Sequence, residues 1–136
     1  MASGLETAMQ EADDRIRALE RELAAGSLAL TDAVDRALGV ANSLMLAVAA
    51  ARNQPLAGYA ADADPLEVFK GFVKGDASLT AIRDNVRELV YYRNCVAADR
   101  ADALPAQPTA MAVRTIRHIY LYLRTRAHKE YGLAGT

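Results

Sequence analysis

The chain of 136 residues has a single cysteine, Cys95, so no internal disulfide can form. It has two histidines, His118 and His128, ten positions apart. A zinc site needs about four converging ligands, and these three residues offer no such pattern. A di-iron bundle would need core-facing glutamates and a Glu-x-x-His motif, and that motif is absent. The glycines match neither a phosphate-binding loop nor a dinucleotide fingerprint. No cofactor and no metal is expected. Net charge is only −1, so the whole molecule exerts no pull toward nucleic acid or membrane. The longest uncharged apolar run, residues 37–51, falls short of the roughly 20 residues that span a bilayer. It reads as a buried core helix. The first 25 residues are acidic and amphipathic, unlike a secretory leader. A cytoplasmic protein is expected, with a membrane role disfavoured.

Hydrophobic residues make up 52% and charged residues 24% of the chain. One domain covering 1–136 can bury a self-sufficient core at this length. Charge is unevenly spread. Residues 1–65 hold ten acids and five bases, and residues 66–136 hold seven acids and eleven bases. Such asymmetry marks either a partner surface or two halves that attract each other.

Helix-period patterns dominate and no strand alternation stands out. From Leu5 to Ala25, the residues Leu5, Met9, Ala12, Ile16, Leu19 and Leu23 form one narrow stripe, of coiled-coil width. Gly26 is the expected stop. A second helix over Thr31–Arg52, capped by Thr31 or Ser27, is apolar nearly all round. It is therefore expected at the centre. A loop over 53–65 follows. Asp64 and Pro65 then open a short third helix, which Gly75 ends. A fourth helix is expected from Asp76 or Ser78 to about Ala103. Pro105 and Pro108 break the chain, Thr109 caps a fifth helix, and Gly132 ends it after Tyr131. The predicted fold is all-α, an antiparallel helical bundle of four long helices and one short one.

Arg93 is the anomaly. At 100° per residue it falls among Leu79, Ile82, Val86, Leu89, Val90, Val96 and Ala97, on the apolar arc of the fourth helix, with Arg100 pointing the same way. Asp84, Glu88, Tyr91, Cys95 and Asp99 fall opposite. A buried guanidinium cannot shed its proton, so it needs a partner, open water or a ligand. Asp32, Asp35 and Glu67 are candidates for an internal pair. A ligand site for anions and a homodimer seam are the alternatives. Cys95 lies mid-helix with no adjacent histidine, which points to a plain thiol.

The stretch "LVYYRN", residues 89–94, resembles the segment that opens the catalytic motif of HEPN helical-bundle ribonucleases: an arginine, often an asparagine, then a histidine. Arg93 and Asn94 match its first part. The histidine has no counterpart, because "CVAAD" and then Arg100 follow. The resemblance covers six or seven residues. It implies a ribonuclease or, given the missing histidine, a non-catalytic relative.

The fifth helix carries Arg114, Arg117, Arg124, Arg126 and Lys129 before its first acid, Glu130. Arg114, Arg117, Arg124 and His128 form a stripe beside the core face of Ala112, Ile116, Ile119, Tyr120, Leu123 and Ala127. Arginine forks suit phosphates and carboxylates alike. The stripe therefore faces the acidic first helix, a protein partner, or a nucleic acid. The expected function is a non-catalytic interaction protein: a small subunit, adaptor or regulator that binds a protein partner or itself. The alternative is a nucleic-acid-binding module. The anion- or partner-binding candidates are Arg93, Arg100, Arg114, Arg117, Arg124 and His128.

Overall fold

The computed structural model describes residues 2–52, 63–74 and 76–132. Among them are five α-helices and no strand: α1 (Ala2–Ala24), α2 (Leu30–Ala51), α3 (Pro65–Lys74), α4 (Arg83–Ala97) and α5 (Pro108–Tyr131). Two 3-10 turns, Ala77–Ile82 and Ala101–Ala103, flank α4. The protein is an all-α bundle. Most of the expected loop over 53–65, and the expected stop at Gly75, lie outside the described residues.

α2 packs against all four other α-helices. This follows from its surface, since Val34, Leu38, Val40, Leu44, Met45 and Val48 are all buried and point in many directions. By length and composition α2 could cross a membrane. Its neighbours in the bundle already occupy most of that apolar surface. α1 packs on α2 and α5. Its expected stripe is the buried one, from Leu5 to Leu19, with Leu23 partly covered.

Helix ends depart from expectation in four places. One is the start of α4, which begins at Arg83 after a 3-10 turn that Asp76 caps, not at Asp76 or Ser78. Neither Thr31 nor Ser27 caps α2. Ala29 precedes it without a side-chain hydrogen bond, and the Ser27 hydroxyl donates back to the Glu22 carbonyl. Thr109 does not cap α5 either, because Pro108 already occupies the first turn behind a left-handed Gln107. The fourth helix stops at Ala97 rather than near Ala103. There Asp99 adopts φ +56°. Its amide donates to the Val96 carbonyl, and the Arg100 amide donates to the Cys95 carbonyl. That pair of bonds is a Schellman ending. Gly26 closes α1 by the same pattern at φ +72°. Glycine there was readable in advance, and aspartate was not. Asp64 does open α3, its side chain accepting from the Leu66 amide at 3.2 Å.

Candidate functional site

α4 brings Arg93 to the wall it shares with α2. Val86, Leu89 and Val90 bury themselves in the core on the same side, and Arg93 follows one turn later, partly buried. Facing it is a stripe of α2 at helical spacing: Thr31, Val34, Asp35, Leu38, Gly39 and Asn42. Two hollows lie along this seam. One of about 230 Å³ is lined by Thr31, Val34, Asp35, Arg93, Val96 and Ala97. The other, of about 310 Å³, is lined by Asp35, Leu38, Gly39, Asn42, Ala63, Pro65 and Arg93. Arg93 and Asp35 thus border both.

Among the described residues Arg93 makes no hydrogen bond and no ion pair, and neither does Asp35. The other carboxylates considered for Arg93 are engaged elsewhere. Asp32 takes Arg36 at 2.9 Å, and Glu67 takes Lys70 at 3.4 Å. The opposite charges of Arg93 and Asp35 therefore share a wall without meeting.

The alignment of Arg100 with Arg93 does not hold. The left-handed turn at Asp99 reverses the chain and breaks the helical phase. Arg100 lies exposed and forks onto Asp102 at 3.0 and 3.2 Å. The outward face expected for α4 also needs correction. Of the residues expected there, Cys95 is buried and Glu88 partly buried, and Tyr92 next to that face is buried as well. Glu88 accepts from the Tyr92 hydroxyl at 2.7 Å and from the Thr115 hydroxyl of α5 at 3.0 Å. Burial, with the Glu88 carboxylate beside it, pushes the Tyr92 phenol well above its ordinary range. The buried arc is wider than one stripe because α4 is packed by α2, α3 and α5 together. The Tyr91 hydroxyl also ties the following segment down, donating to the Ala103 carbonyl at 2.8 Å.

The basic stripe of α5 divides. Arg117 turns inward to α1: its Nη1 donates to Asp13 at 2.7 Å, and Nε and Nη2 donate to Glu20 at 3.1 and 2.8 Å. The guanidinium also sits 5.2 Å from the Tyr120 ring centre. Hydrogen bonds to Glu20, then Asp13, hold its pKa above the usual arginine range despite partial burial. Arg126 is tied down as well, by Asp76, Ser78 and Glu130. Arg114 is exposed, with only the Met111 sulfur near it at 4.0 Å, and His128 is exposed. Arg124 is partly buried with no ion pair among the described residues.

No group of three His, Cys, Asp or Glu side chains converges as a metal site among the described residues. No histidine lines either hollow beside Arg93, and His118 sits on the outer face of α5 with Leu121 and Tyr122. The arginine of the HEPN-like stretch therefore has a carboxylate, Asp35, and no histidine beside it among the described residues. What the α2–α4 wall offers is binding chemistry: one fork of donors, one carboxylate, and an apolar floor of Val34, Leu38 and Val96. Asp35 was legible only as one of several possible partners for Arg93. The roles of Glu88 and Asp99 left no signal in the residue pattern. Compared with protein-family models, curated proteins and solved structures, the chain matches none.

Proposed function

We propose that the chain is a non-catalytic interaction protein, a small subunit, adaptor or regulator of a larger cytoplasmic assembly, and that it meets its partner through the α2–α4 wall. The observation that carries this reading is the pair of charges Arg93 and Asp35, unpaired among the described residues and set between two partly apolar hollows. Protein interfaces are enriched in arginine and place such groups beside apolar surface. A partner carboxylate on Arg93 forms a charge-assisted bond stronger than a neutral one. A polyanion fits this wall poorly, because Asp35 repels phosphate where Arg93 attracts it. The bases of α5 point the same way: Arg117 of the stripe and Arg126 beside it already hold carboxylates of the chain itself. That leaves fewer cations to release counterions from a nucleic acid.

The test is affinity purification of the tagged chain from its own cells. The wild type and an exposed-site control, Lys129→Glu, should retain the same protein in fixed stoichiometry, and Arg93→Glu should lose it. Equal retention by all three, or no stoichiometric protein with the wild type, contradicts the proposal. The outward Arg114 and Lys129 keep a nucleic-acid reading open to test. Oligonucleotide binding that falls steeply with salt would favour it.

A further inference from the structure

The α2–α4 wall has one cation and one anion, Arg93 and Asp35, neither paired among the described residues, bordering the same two hollows. A surface of that kind is complementary to itself. In a two-fold dimer, residue i of one copy meets residue j of the other, and j meets i. A two-fold axis between Arg93 and Asp35 matches each arginine with the other copy's aspartate, giving two identical ion pairs. A partner of a single charge sign would satisfy only one of the two groups. The hollows suit this arrangement, since they lie on either side of the Arg93–Asp35 pair and give the long Arg93 side chain space to reach across. Val96 and Ala97 leave apolar surface beside the charges, with Val34 and Leu38 buried beneath them.

We propose that two copies of this chain pair through their α2–α4 walls about a two-fold axis, with Arg93 of each copy bonded to Asp35 of the other. This deepens the reading that the α2–α4 wall is a contact face and rests on it. The contact is centred on two ion pairs, so the dimer is a reversible one that high salt weakens.

Sedimentation velocity of the full chain, from about 10 µM to about 1 mM, reads the association directly. The wild type is expected to pass from monomer to dimer within that range. Arg93→Glu sets acid against acid at both contacts, and Asp35→Arg sets base against base. Each variant alone should dimerise at least about tenfold more weakly. Mixed in equal amounts, the two should recover the dimer. The Arg93→Glu chain then offers acids at both positions and the Asp35→Arg chain offers bases at both, so both reciprocal pairs reform. Loss of folding cannot imitate this recovery. A wild type that stays monomeric at about 1 mM overturns the proposal. So do single variants that still dimerise, or a mixture that stays monomeric. If the wild type is monomeric while the tagged chain holds a different protein that Arg93→Glu releases, self-pairing fails and the contact-face reading survives. If neither occurs, both fail.

Discussion

Replacing Arg117 by methionine tests how α1 is held to the bundle. Methionine keeps most of the stem that lies beside Tyr120 and removes only the fork. The fork makes three hydrogen bonds of 2.7–3.1 Å to two carboxylates. Fully exposed ion pairs are worth about 0.2–1 kcal/mol, whereas breaking a buried one costs about 3–5 kcal/mol. Arg117 lies between these limits: its side chain is 21% exposed, Asp13 is 13% exposed, and Glu20 is 42% exposed. Asp13 keeps a second partner in Arg17 at 3.0 Å, which limits the damage. Glu20 loses its fork and can turn to water. A loss of about 2 kcal/mol is therefore expected, a sizeable part of the roughly 5–15 kcal/mol that stabilises a domain. Urea unfolding followed by far-ultraviolet circular dichroism measures it. Combining Arg117→Met with Glu20→Gln should cost less than the sum of the two single changes, with a coupling of about 1 kcal/mol. A loss under about 0.5 kcal/mol, or strict additivity, would refute the view that this clamp joins α1 to α5.

Two further outcomes are expected. Asp99→Gly should stabilise the fold by up to about 1 kcal/mol, read as a higher urea midpoint, because aspartate is strained at φ +56° and glycine is not. Acid should loosen the contact between the Ala77–Ile82 turn and α5. The Ser78 hydroxyl and amide, with Arg126, hold the Asp76 carboxyl down to about 2 from an ordinary 3.8. A carboxyl lowered on folding adds stability above its unfolded pKa, and that contribution drains away as pH falls from about 3.8 to about 2. Asp76→Asn should lessen this part of the acid sensitivity when melting is compared at either end of that window.

How much of this was readable beforehand depended on how local the cause was. The narrow stripe of α1 and the all-round apolarity of α2 are repeats along the chain, so the buried stripe of α1 and the central place of α2 were readable. A stripe that narrow implied one neighbour for α1, yet it packs on both α2 and α5. Asp64 before Pro65 is a short-range signal and gave the start of α3. The end of α4 was misplaced because its stop is an aspartate in a conformation usually left to glycine. The wrong end carried Arg100 onto the wrong face with it. Cys95 was placed opposite the apolar arc because a single helix gives no sign of how many neighbours will cover it. Arg117 and Arg93 are both arginines on amphipathic helices. Only the three-dimensional packing separates the one that grips α1 from the one left open beside Asp35.

That open position is what the binding reading rests on, and the unfolding free energy of Arg93→Ala measured against the wild type, at a concentration low enough to keep both monomeric, tests it most directly. With no partner among the described residues and a partly exposed side chain, the substitution is expected to cost less than about 1 kcal/mol. A loss of about 3–5 kcal/mol would mean that Arg93 is one half of a buried internal pair, spent on holding the fold and not free to bind anything else.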